Sequence, residues 1–161
     1  KRGFIKEGYK VLKNLLDSAM DFESSIMYPG IPEYFDNDGR GLYAYLTGAA
    51  SWYMLTMITE VFGVRGELGN LVIKPALLPE QFDKDGKAAI KLNFSGRTLK
   101  ITIHADIDNI QDNNGVYNKI IRVECDGNEL ESADLKKVVI MKKRIEEMSC
   151  GRCHEIDVFI K

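Results

Sequence analysis

The sequence has no surplus of charge of either sign: Lys plus Arg number 22 against Asp plus Glu 24, a formal net charge of -2. No basic stripe stands out, so nothing in it reads as a phosphate-backbone binder, and no nucleic-acid partner is expected. Long hydrophobic runs are lacking too. The one candidate for a membrane span is broken by Thr56, Thr59 and Glu60, so no membrane association is expected. No stretch reads as a signal peptide, and the expected location is cytoplasmic. Internal repeats and low-complexity tracts are absent. Cysteine is scarce at three residues, and there is no second Cys pair to complete a zinc site.

What is present is enough apolar residue, 45% of 161, to bury a real core in one domain or two small ones. The stretch that organises the chain runs from residue 39 to 63. A glycine-punctuated loop, Gly39-Arg40-Gly41, leads to Thr47-Gly48 and then to a run from Ala49 to Phe62 interrupted only by Ser51, Thr56, Thr59 and Glu60. A helix that is apolar on every side is expected to be buried. Gly63 follows it as a suitable C′ residue. The first turn of such a helix presents unpaired N–H groups and partial positive charge. Thr47 offers a hydroxyl, and Gly48 lets an anion approach the backbone, which makes a candidate phosphate seat. The competing reading is that Thr47 caps the helix and Gly48 eases a turn. The seat also requires a mouth clear of side chains, with a cleft beside it.

Residues 4–22 carry a stripe of Ile5, Tyr9, Leu12, Leu16 and Ala19 with Lys6, Lys10, Lys13 and Asp17 off it, the pattern of an amphipathic helix. From Phe22 to Arg40 the chain has no helical period and is rich in Pro, Gly and Asp, so a long ordered loop is expected. Period-two runs take over after Gly63. Ile90, Leu92 and Phe94 face Leu99, Ile101 and Ile103 across a Ser95-Gly96 turn, which predicts a hairpin. Further strands are expected at Lys119–Cys125, Lys137–Met141 and Glu155–Ile160, with turns at Asn113-Asn114-Gly115 and Asp126-Gly127-Asn128. Lys136 to Arg144 reads as a charge-rich strand end. The fold class expected is therefore α+β, helices followed by an antiparallel sheet unit of sandwich type.

Polar residues able to face a sugar are Glu33, Tyr34 and Arg40. A carboxylate accepts sugar hydroxyls, an arginine pairs with phosphate through two hydrogen bonds, and tyrosine stacks on a pyranose ring. Alternatively, Glu33 and Arg40 tie the loop to itself. Cys150-Gly-Arg-Cys153-His154 has the spacing of a c-type haem attachment site, and its Cys-x-x-Cys part that of thioredoxin chemistry or half a zinc site. The alternative is reduced thiols at a turn, with no metal and no cofactor. His104 is expected on the outward side of its strand, as a surface residue rather than a base. Asp106, Asp108 and Asp112 read as a solvated loop.

Three segments together resemble the C-terminal part of inverting disaccharide and oligosaccharide phosphorylases. They are Tyr28-Pro-Gly-Ile-Pro-Glu-Tyr-Phe35, Gly39-Arg-Gly-Leu-Tyr-Ala-Tyr-Leu-Thr-Gly-Ala-Ala-Ser-Trp52 and Val61-Phe-Gly-Val-Arg-Gly-Glu-Leu-Gly-Asn-Leu-Val-Ile-Lys-Pro75. These enzymes form glycoside hydrolase family ninety-four, formerly glycosyltransferase family thirty-six. The first segment is most similar to the β-1,2-oligoglucan phosphorylase and cyclic β-1,2-glucan synthase branch. The resemblance implies the last helical hairpin of an (α/α) toroid over 1–69 and a jelly-roll-like antiparallel domain over 70–161. It matches Thr47 and Gly48 to the family's phosphate-holding pair. Tyr28 falls where the cellobiose branch has a sugar-binding Gln.

The family's general-acid Asp, and its phosphate-binding Arg and His, match nothing in the chain, so no catalytic residue is expected here. Inverting phosphorolysis needs that acid to protonate the leaving oxygen while phosphate attacks the anomeric carbon. The chain, which begins at Lys1 inside a helical pattern, is therefore expected to be a piece of a longer protein and inactive alone. Its expected co-substrate is inorganic phosphate, and its partners are a β-glucan oligosaccharide and the upstream barrel, in the same protein or a partner chain, with a homodimer as a further expectation. Two other readings stay open: a non-catalytic carbohydrate-binding or structural interaction module, and a haem or metal carrier through Cys150, Cys153 and His154.

Overall fold

A computed structural model of the chain describes residues 3–27, 30–43, 48–106, 119–130 and 136–161. The chain divides into two compact units, Lys1–Met57 and Ile58–Lys161. The stretch 58–69, assigned from the sequence to the helical part, belongs to the second unit. Val64–Glu67 pairs along its length with Asn70–Ile73, and that ladder decides its place.

The first unit begins with helix α1 (Ile5–Met20) and a single turn, α2 (Phe22–Ser25). Asp21 caps α2, accepting from the Ser24 hydroxyl at 2.7 Å and from its amide at 3.3 Å. Those bonds favour the charged carboxyl and hold it below its ordinary range. A small hairpin follows, β1 (Tyr34–Phe35) against β2 (Gly41–Leu42). Helix α3 (Gly48–Thr56) leads into a π-helical turn at Met57–Val61.

Two expectations for these helices need correction. The α1 stripe is only half covered, with Ala19 its one buried residue. None of the α3 residues is buried; Trp52 is 68% exposed and Met54 60%. The reason is geometric: a helix apolar all round needs neighbours all round. Tyr53 has cover, and burial followed by the nearby Tyr9 and Asp17 raises its phenol above the ordinary value. The opposite flank is left to water.

The second unit carries the core, and with the helices before it makes the chain a mixed α+β fold. A five-stranded sheet has the order β5-β6-β10-β7-β8, from β5 (Lys87–Phe94), β6 (Arg97–Ala105), β7 (Ile120–Cys125), β8 (Asn128–Glu129) and β10 (Cys153–Ile160). A three-stranded sheet has the order β3-β4-β9, from β3 (Val64–Glu67), β4 (Asn70–Ile73) and β9 (Val138–Ile140). Among the described residues all pairings are antiparallel except β10 with β6, which run parallel in register Ile156↔Ile101. Alternation puts Leu99, Ile101, Ile103, Ile156, Val158 and Ile160 on one fully buried face. Leu71 and Ile73 of the smaller sheet are equally buried. Val72 between them is buried as well, so the middle strand of the smaller sheet is covered on both faces.

Turns carry the φ values that two-residue hairpins need: Ser95 and Gly96 at 48° and 73°, Asp126 and Gly127 at 50° and 77°. Gly63, at φ 68°, is obligatory, because a Cβ there would collide with the carbonyl of Lys74. The charge-rich segment after β9 is not a strand end. It forms a short helix, α4 (Lys142–Glu147), which buries only Ile145. Asn70 Oδ1 receives the Lys142 amide at 2.8 Å and starts it. The expected turn at Asn113–Gly115, together with Asp108 and Asp112, lies outside the described residues. Among the described residues no helix is long and apolar enough to cross a membrane.

Candidate functional site

Two groupings of side chains have chemistry to offer, one in each unit. In the first unit the question is what occupies the start of α3. Ala49 in its first turn donates its amide to Glu33 Oε2 at 3.1 Å. A Cβ built on Gly48 would lie 3.5 and 3.6 Å from the two Glu33 carboxylate oxygens and 3.9 Å from Cδ1 of Trp52. Carboxylate, helix terminus and indole therefore meet at one small residue. Thr47 lies outside the described residues, as does Tyr28.

This arrangement does not meet the requirement of a mouth clear of side chains. The mouth holds the chain's own carboxylate, which answers the helix's partial positive charge. Of the two roles open to Glu33, tying the loop down is the one its geometry performs. Its backbone does the same, the amide donating to Leu42 O at 3.2 Å and Tyr43 O at 3.3 Å. Tyr34 stands on β1, 49% exposed, its ring tilted against Tyr43 with centroids 5.5 Å apart. Arg40 is exposed at the end of the hairpin turn.

That turn is organised by Asp36, a residue the sequence pattern did not single out. Its Oδ1 accepts the amides of Asp38 at 3.0 Å and Arg40 at 2.9 Å. The signal was available, since an Asx side chain bonding its own backbone a few residues on is a recurrent turn device.

In the second unit the Cys-x-x-Cys-His motif sits where β10 begins. His154 is 2% exposed. Its Nδ1 lies 2.7 Å from Asp126 Oδ2 and its Nε2 2.9 Å from the carbonyl oxygen of Ser149. Asp126 also accepts from Arg152 Nη2 at 2.6 Å and from the Glu155 amide at 3.0 Å. Burial alone would raise the Asp126 carboxyl, but the bonds from His154, Glu155 and Arg152 outweigh it and hold it below its ordinary range. Beside this clasp lies a cavity of about 220 Å³, whose lining includes Cys125, Arg144, Glu147 and Met148.

The chemistry open to this group is limited in a definite way. Cys125 is buried, and burial, then the Asp126 charge, raises its thiol, which opposes a nucleophilic role. Both nitrogens of His154 are engaged, so it ligates iron or zinc only by abandoning Ser149 or Asp126. Among the described residues no three metal-ligating side chains gather in one place. Cys150 and Cys153 are free and exposed. His104 does lie on the outer face of the sheet, but it is engaged there: Nε2 meets Asp157 Oδ1 at 2.7 Å and its ring stacks on Phe159 at 4.5 Å.

No family model matches the chain, and no curated protein matches it either.

Proposed function

We propose that this chain is the C-terminal segment of a carbohydrate phosphorylase resembling glycoside hydrolase family ninety-four. In this reading it works in the cytoplasm on a β-glucan or β-disaccharide, with inorganic phosphate as co-substrate and inversion to α-glucose 1-phosphate. Residues 1–57 complete the upstream barrel, and 58–161 form the domain that follows it. The observation that carries the reading is α3: a helix apolar on all sides, with Trp52 and Met54 open to water, at the corner where Glu33 meets Gly48. Such a helix fits an element that a larger helical assembly surrounds.

Each part has a role in this reading. Once Glu33 leaves the mouth it fills, the amides at Gly48 and Ala49, with Thr47, hold phosphate, and the displaced carboxylate binds sugar hydroxyls beside it. Tyr34 offers a ring face and Arg40 a guanidinium to the same substrates. The general acid comes from the upstream barrel, which protonates the leaving oxygen as phosphate attacks. The chain alone should therefore release no glucose 1-phosphate from β-1,2-linked oligoglucans, and should do so once the upstream barrel is supplied. Silence in both assays counts against the proposal.

A second reading has its own support. With Glu33 already capping α3, the exposed Tyr34, Tyr43 and Trp52 suit a non-catalytic carbohydrate-binding or interaction module. Oligosaccharide binding without any phosphate dependence distinguishes it.

A further inference from the structure

We propose that Cys150 and Cys153 form a thiol–disulfide redox site that exchanges with low-molecular-weight disulfides of the glutathione class. The inference starts from the residues flanking the pair. Ser149 immediately precedes Cys150, and His154 immediately follows Cys153. The 2.9 Å contact from His154 Nε2 to Ser149 O joins these flanks. Inside the segment, Arg152 is fixed to Asp126, the same carboxylate that holds His154. The Cys-Gly-Arg-Cys stretch is thus a loop closed at its base by a buried ring.

Both Cys150 and Cys153 are exposed, while Cys125 is buried. Gly151 turns the tip at φ 90° with nothing within 4 Å of where a Cβ would lie, so a small disulfide can reach the site. Closing the ends of a loop in advance removes much of the entropy that disulfide formation otherwise costs. It also favours an intramolecular bond over a persistent mixed disulfide.

The exchange balances without a further reactant. One cysteine, as thiolate, attacks a sulfur of the small disulfide, forming a mixed disulfide and releasing one small thiolate. The second cysteine, as thiolate, attacks the protein sulfur of that mixed disulfide and releases the other. The Cys150–Cys153 bond forms, the small S–S bond breaks, and the protein gives up two electrons. The two cysteine protons end on the two small thiols.

The test equilibrates the full chain with reduced and oxidised glutathione at graded ratios, quenches with acid, alkylates, and maps the cysteines by mass. One transition is expected, with two hydrogens lost from the peptide holding Cys150 and Cys153. Cys125 should alkylate only after unfolding. The midpoint in the native chain should lie roughly threefold or more to the reducing side of that in concentrated urea. Asp126→Asn, or Arg152→Gln should the first variant fail to fold, should move the midpoint back toward the urea value. Separate glutathione adducts on the two cysteines, equal midpoints in buffer and urea, or a variant midpoint unchanged from the parent would each overturn the proposal.

Discussion

The Glu33 carboxylate accepts the Ala49 amide at 3.1 Å across sixteen positions of sequence, joining the loop to the first turn of α3. A carboxylate at a helix N-terminus satisfies an orphan amide and meets the favourable end of the dipole. Glu33→Ala should therefore cost the first unit about 1 kcal/mol. Amide exchange at Ala49 provides the local readout and should quicken. Unchanged exchange there would show that the cap contributes nothing.

The exposed apolar flank of α3 carries a second expectation. Trp52, Met54 and Leu55 are 68, 60 and 46% exposed on one helix, and apolar surface exposed together favours association. The isolated chain should self-associate as its concentration rises, and Met54→Lys with Leu55→Glu should suppress this. Sedimentation velocity over a wide concentration range decides it. A monomer at every concentration would contradict the reading of α3 as a helix meant to be covered.

Asp126 gives a pH dependence with a definite sign. Its carboxyl lies below the ordinary range in the folded chain. The stability it contributes is therefore present above the unfolded value of about 3.9 and is lost as pH falls through the lowered folded one. Urea unfolding of the parent and Asp126→Asn should give curves that converge as the medium is acidified below about pH 4. Parallel curves throughout would mean that the His154, Arg152 and Glu155 contacts do not stabilise the carboxylate.

Core and surface positions within one sheet should differ sharply. Ile101 is 0% exposed at the centre of β6, whereas Ile121 on β7 is 58% exposed. Ile101→Ala should cost about 2–5 kcal/mol, and Ile121→Ala should stay within roughly 0.5 kcal/mol. Chemical denaturation of both variants checks the assignment of the buried face.

Much of the sheet unit was legible because its signals are local. Alternation from Ile90 to Phe94 and from Leu99 to Ile103 around Ser95-Gly96 specifies β5, β6 and their register without help from the rest of the chain. The parallel partnership of β6 with β10 was not legible, since nothing in either strand's own pattern says which distant strand it will join. Helix α4 was missed because its run of charge masks a single buried position, Ile145. The start of α3 was found as a place but not as an arrangement. That Glu33 would reach it depends on how the intervening loop folds. His154 was weighed as a ligand, whereas its partners Asp126 and Ser149 are brought to it only by the tertiary fold.

The measurement that bears most directly on the proposed function is a phosphate titration followed at the Gly48 and Ala49 amides by heteronuclear NMR, in the parent and in Glu33→Ala. The account predicts saturable shifts confined to those amides and their neighbours, with tighter binding in Glu33→Ala because the competing carboxylate is gone. Amides that do not respond in either protein, or that follow ionic strength alone, would contradict it.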